Sequence, residues 1–165
     1  MLNPVAERRA NKDRVGHLRF VVVHRFWVEG TDCRAGEEIV GVWVEVDGQK
    51  IQLRLSLALR LLFDFLGRHR WLAQSARQIE TAMHSDPFYV RHAANSYASR
   101  NLTRRMSRSG IKTYIARLRE AIQWALDEAG IDLKASEVLV SERTAGNEVG
   151  YKLRRTVRWV HLPLV

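Results

Sequence analysis

Ile111, Ile115, Leu118, Ile122 and Leu126 recur at three- and four-residue steps through residues 109–129. At about 100° per residue they fall on one face of a helix, with Tyr114 and Ala125 flanking them. Thr113, Ala116 and Glu120 then lie on the opposite face, with Lys112 and Arg117 to either side. A stripe of this kind is stable only when covered, so the rest of the chain must supply a core for the helix to lie on. Gly130 is placed to end it, because the residue past a last turn favours a left-handed backbone.

Upstream the periodicity changes. Residues 18–28 (LRFVVVHRFWV) are rich in β-branched and aromatic side chains and predict a strand. Residues 39–46 (IVGVWVEV) predict a second. Residues 50–55 (KIQLRL) predict a third, returning through Asp47-Gly48, a pair suited to a two-residue hairpin. Ser56 is placed to cap a helix in which Leu55, Leu59, Leu62, Phe63 and Leu66 share a face, and Gly67 to close it. A second helix is expected over residues 71–83, with Leu72, Ala76, Ile79 and Met83 inward. A third follows Pro87 over residues 88–99. After Gly130, residues 137–143 and 149–154 predict two strands around a turn, and residues 156–162 a last extended piece.

Several function classes drop out. The lone Cys33 allows no intramolecular disulfide and fits a reducing compartment. The first residues lack the apolar core of a signal peptide, and the apolar stretch 53–66 is cut by Arg54, Arg60 and Asp64, so a cytoplasmic protein without a membrane span is expected. His17, His24, His69, His84, His92 and His161 show no ligand spacing with Cys33 or with a carboxylate pair, so no metal is expected. Asp32, Glu37, Glu38 and Glu45 form a small acidic zone in or beside a turn and strands, with no partner histidine in sequence. Neither a nucleophile elbow nor a phosphate-cradling glycine loop is found, so neither enzyme activity nor a cofactor is expected. Trp27, Trp43, Trp71, Trp124 and Trp159 are too dispersed for a single-strand stacking platform.

Charge is the remaining clue. The chain of 165 residues carries a formal +9, with 13 basic and 11 acidic residues before position 91 but 14 and 7 from there on. From Arg91 to Arg119 there are basic residues at 91, 100, 104, 105, 108, 112, 117 and 119 and no acidic residue. A one-signed field of this kind suits an anionic partner, and nucleic acid rewards each neutralising cation through counterion release.

Three stretches carry a family likeness. VEVDGQKIQLRLSLALRLLFDFL (residues 44–66), IKTYIARLREAI (residues 111–122) and VLVSERTAGNEVGYKLR (residues 138–154) together resemble the DNA-binding output domain of OmpR/PhoB-type response regulators. The resemblance implies an α+β winged helix-turn-helix with N-terminal antiparallel strands, a three-helix bundle and a C-terminal β-hairpin wing. It divides the chain into an arm with an additional strand (residues 1–38) and a winged-helix domain (residues 39–165). Roughly 40 residues precede the likeness where a receiver domain takes about 120, so a regulator without one is expected.

On this reading the helix over 109–129 enters the major groove. Lys112, Thr113, Ala116 and Arg117 face base edges, and Arg100, Arg104, Arg105, Arg108, Ser109 and Arg119 hold phosphates. Arg143, Asn147, Lys152 and Arg154 belong to the wing, on the backbone or minor groove. The resemblance implies a bacterial, nucleoid-associated transcriptional regulator bound to double-stranded DNA. One winged helix offers few base contacts, so binding as a homodimer or in tandem is expected. An exposed edge of the strands over 18–28 and 39–46, or residues 84–109, is expected to hold a partner, either a second copy or a regulatory protein. Two alternatives stand beside it: a DNA-organising or replication-initiation factor of a mobile element, and an interaction module whose basic face docks an acidic protein.

Overall fold

The computed structural model describes residues 3–6, 15–29, 34–94 and 107–162. In chain order the elements are β1 (Arg19–Glu29), β2 (Arg34–Val46), β3 (Gln49–Gln52), α1 (Leu57–Arg68), β4 (Gln74–Ser75), α2 (Ala76–Ser85), α3 (Pro87–Ala94), α4 (Arg108–Glu128), α5 (Ala135–Val138), β5 (Leu139–Arg143), β6 (Val149–Leu153) and β7 (Val157–Leu162). The class is α+β, as expected. Strands form one sheet of order β3-β2-β1-β7 and a smaller one of order β4-β6-β5. One continuous core joins them, with Phe20, Val22 and Ile39 of the large sheet, Leu62 and Phe63 of α1, Ile79 of α2 and Ile115 and Leu118 of α4.

Local signals held where they are local. Asp47 and Gly48 both take positive φ (49° and 77°), the hairpin geometry that pairs β2 with β3. Ser56 caps α1 by accepting from the Leu59 amide, and Ser75 with Gln78 forms a full capping box on α2. Gly130, at φ 68°, follows the end of α4.

Other expectations are corrected. The third strand is shorter than residues 50–55, ending at Gln52. The second helix starts at Ala76, so Leu72 is not inward: Trp71 and Leu72 are 75% and 72% exposed in the turn before it. The third helix is described as far as Ala94, and positions 95–99 lie outside the described residues. Residues 135–138 form a helical turn where a strand was expected to begin. Gly67 does not close α1, which runs on to Arg68 and is capped by His69. Gly67 instead lets the helix approach β7: a Cβ there would meet the Trp159 ring at 3.2 Å and Val157 at 3.4 Å.

The large sheet is not purely antiparallel. β7 lies parallel to β1, pairing Phe20 with Val157 and His24 with His161. β1 is therefore an interior strand, bonded on both sides, and the edge once expected of it belongs to β3 and β7. β2 also runs unbroken through position 38, where the chain was expected to divide.

The register of β1 against β2 shifts once. Val23 faces Gly41 and His24 faces Ile39, leaving Val40 as the extra residue of a bulge. Arg60 of α1 satisfies it, donating from Nη1 to the Ile39 and Val40 carbonyls at 3.1 and 3.2 Å. The bulge also reverses the alternation of β2. Val42, Val44 and Val46 face inward on one side of it, Ile39 and Glu37 on the other. No helix among the described residues is long and apolar enough to cross a membrane.

Candidate functional site

The outward face of α4 is the first candidate. The inward stripe is buried as expected, with Ile111, Tyr114, Ile115, Leu118, Ala121, Ile122, Ala125 and Leu126 all in the core. That burial fixes the rotation of the helix and leaves Lys112, Thr113, Ala116 and Arg117 exposed together, with Arg108, Ser109 and Glu120. Of the ion pairs among the described residues, none involves Lys112 or Arg117. The Arg117 guanidinium lies 5.9 Å from the Tyr114 ring centre.

One expected phosphate ligand, Arg119, and the backbone amide of another, Arg108, have partners within the fold. Arg119 donates from Nε to the Leu139 carbonyl (2.9 Å) and from Nη2 to Ser141 Oγ (3.0 Å), with its guanidinium 5.9 Å from the Tyr151 ring centre. It fastens α4 to the β5–β6 hairpin. At the start of α4 the Arg108 amide donates to the Glu80 carboxylate of α2, so a protein carboxylate already occupies the position where an anion was expected. Ser107 precedes the helix, and its Oγ lies 3.2 Å from that of Ser109. Arg100, Arg104 and Arg105 lie outside the described residues.

The β5–β6 hairpin stands beside α4 and carries mixed charge. Arg143 donates to the Asn147 carbonyl at 2.9 Å across the turn, where Asn147 has φ 60°. Lys152 pairs with Glu142 at 3.6 Å, and Arg77 of α2 with Glu148 at 3.4 Å. Arg154 is exposed just past the hairpin. Trp71, Leu72, Arg77, Glu142, Arg143, Glu148 and Lys152 line a groove between the hairpin and α2.

The second candidate is a polar cluster that the sequence did not announce. Asp64 of α1 is fully buried in the core and takes four donors: His24 Nε2 at 3.1 Å, Trp159 Nε1 at 3.0 Å, Tyr89 Oη at 2.9 Å and Arg68 Nε at 2.9 Å. Burial alone would raise the Asp64 carboxyl. The His24 hydrogen bond, the Arg68 charge and the Trp159 hydrogen bond outweigh it and hold the group below its ordinary value. Burial and the neighbouring Asp64 push the Tyr89 phenol well up. For Arg68, burial opposes the charged form, but the Asp64 charge and hydrogen bond, helped by Tyr89 and Glu37, together outweigh it and raise the group.

On the far side of the His24 ring, Glu37 Oε1 lies 2.8 Å from His24 Nδ1 and 3.2 Å from His161 Nε2. Although that Glu37 oxygen is at contact distance, the buried His24 Nδ1 makes no hydrogen bond. The two imidazoles stack with centres 5.2 Å apart. These residues, expected to hold no ligand spacing, converge because β7 lies beside β1 and the bulge turns Glu37 inward. The only sequence signal for Asp64 was the single acidic residue of a mostly apolar helix.

The chain matches no family model, no curated protein and no solved structure.

Proposed function

We propose that this chain is a winged-helix protein that binds double-stranded DNA and regulates transcription, with α4 as the recognition helix and β5–β6 as the wing. One observation carries the reading: the burial of Ile111, Ile115 and Leu118 turns Lys112, Thr113, Ala116 and Arg117 outward as one exposed row, and its two cations are unpaired among the described residues. Two long donors flanking two small residues suit a groove, because the small pair lets the backbone approach and the long pair reaches O6 and N7 of guanine. Arg119 supports the reading by tying the hairpin to the helix, so the two present a common surface. The excess of arginine over lysine and the charge of +9 supply attraction to any duplex.

Selection from a random-duplex library with the purified protein, followed by fluorescence anisotropy on the selected and scrambled duplexes, tests it. The expected result is a recurrent site bound more tightly than scrambled DNA, with the preference reduced in Lys112→Ala and Arg117→Ala. Equal affinity for every duplex, indifferent to both substitutions, would overturn base reading by α4. No binding to any duplex even at low salt would overturn DNA binding altogether.

A further inference from the structure

We infer that His24, Glu37 and His161 form a binding site for a single divalent transition-metal ion of the zinc class, built where β1, β2 and β7 meet. His24 Nδ1, a Glu37 carboxylate oxygen and His161 Nε2 all lie within 4.8 Å of one another. Two imidazole nitrogens and one carboxylate oxygen are the donors that zinc and its neighbours prefer, with one or more positions left for water.

Two independent features point to a cation rather than to a simple hydrogen-bonded trio. The first is His24 Nδ1, fully buried and without a hydrogen-bond partner although Glu37 Oε1 lies 2.8 Å away. Donating its lone pair to a cation would give that atom a partner, which the Glu37 contact does not. The second is the opposite side of the same ring, where Nε2 lies 3.1 Å from Asp64, itself anchored by Tyr89, Trp159 and Arg68. A metal-bound histidine characteristically donates its other ring N–H to a carboxylate, which fixes the tautomer and the orientation of the ring. Here that carboxylate is among the most firmly held groups in the core.

Two of the three donor separations are already close to the required size. Tetrahedral zinc with bonds of about 2.0–2.2 Å sets neighbouring donors roughly 3.3 Å apart. The His161–Glu37 separation of 3.2 Å already fits, and the His24–Glu37 separation of 2.8 Å needs Glu37 to withdraw slightly. Glu37 is free to do so, because its side chain is 23% exposed and that of His161 49%, which also gives an ion a route in from solvent. An ion bound there would join three strands, one of them from the far end of the sequence, and connect them through Asp64 to α1.

The test uses the untagged full chain, stripped with a chelator and titrated with Zn2+ and with Co2+ alone. One ion per chain is expected, and a hundredfold excess over Kd should raise Tm by about 5–10 °C. Co2+ should give the visible bands of a four- or five-coordinate site with nitrogen ligands. Glu37→Gln and His161→Ala, both at the solvent edge of the cluster, should weaken binding at least tenfold to a hundredfold while melting as wild type without metal. Histidine-selective NMR gives a readout that needs no variant: the His24 and His161 rings should shift on adding Zn2+, and His17, His69 and His84 should not. Absence of a Tm rise, unchanged affinity in both variants, or shifts confined to the other histidines would each overturn the site. None of these outcomes bears on DNA binding, which is read from α4.

Discussion

Arg119 of α4 donates to the Leu139 carbonyl at 2.9 Å, so the first strand of the hairpin hangs from the helix whose outward face is proposed to read DNA. Its second bond, to Ser141 Oγ, reaches two residues further along the same strand. Replacing Arg119 by Ala should cost about 1–3 kcal/mol, since the lost bonds come from a charged donor. Binding should fall by a similar factor on every duplex, because the hairpin loses its placement. Lysine should not rescue the variant: a single ammonium cannot reproduce two donors of a planar guanidinium. Thermal melts beside anisotropy on selected and scrambled duplexes check both statements.

Lys112 and Arg117 make the opposite prediction. Neither is paired with a described carboxylate, so Lys112→Ala and Arg117→Ala should leave Tm within about a degree of wild type, as surface changes usually do. On the preferred duplex each should cost about 1–3 kcal/mol, with much smaller losses on scrambled DNA. If six cations neutralise phosphates, log K against log salt should slope at about −5. A Tm loss as large as that of the Arg119 variant would mean these side chains hold the fold instead.

Asp64 is the most demanding residue of the core. Asparagine keeps its shape but removes the charge that Arg68 and His24 face, and its amide turns donors toward donors. Asp64→Asn should therefore destabilise by about 3–5 kcal/mol, the range for breaking a buried ionic network from one side. Tyr89→Phe removes one donor of four and should cost only about 0.5–1.5 kcal/mol. Urea unfolding of the two variants ranks them, and equal costs would mean that Asp64 is not held as a charge.

Glu45 sets an acid-limb prediction. The hydrogen bond from Arg19 lowers its carboxyl below the usual value of 4.5; burial opposes this, and the charges of Arg19, Lys50 and Arg158 add to the lowering. A carboxyl depressed by folding stabilises the protein above its unfolded value and loses that contribution as pH falls through the folded value. Glu45→Gln should therefore be less stable than wild type near neutrality, the difference closing as pH drops below about 4. A gap that stays constant with pH would show that the Glu45 charge contributes nothing.

What could be read in advance was what neighbours in sequence decide. The Asp47-Gly48 turn, the Ser56 cap and the stripe from Ile111 to Leu126 each depend on a few adjacent residues, and all three stand as expected. The parallel pairing of His24 with His161 brings together residues from opposite ends of the sequence, and no local period encodes it. The bulge at Val40 hid Glu37 in a different way. Extending the alternation of Val42, Val44 and Val46 back along β2 would put Glu37 on the outer face, and one extra residue puts it on the inner. Gly67 was legible as a glycine with a purpose, but only the Trp159 ring packed above it says which. Of the candidate interface, the exposed row on α4 followed from the helical period, whereas the engagement of Arg119 by Leu139 required knowing where the hairpin lies.

The parallel seam between β1 and β7 has a cost during synthesis. A ribosome delivers Phe20 long before its partner Val157, so a nascent chain holds one flank of β1 without its ladder while everything between is made. Open flanks of this kind invite pairing with other chains, and late closure over so long a separation slows the final step. Early stops that remove Val157–Leu162 should therefore yield an aggregating product, even though every helix of the proposed DNA-binding half would already have been translated.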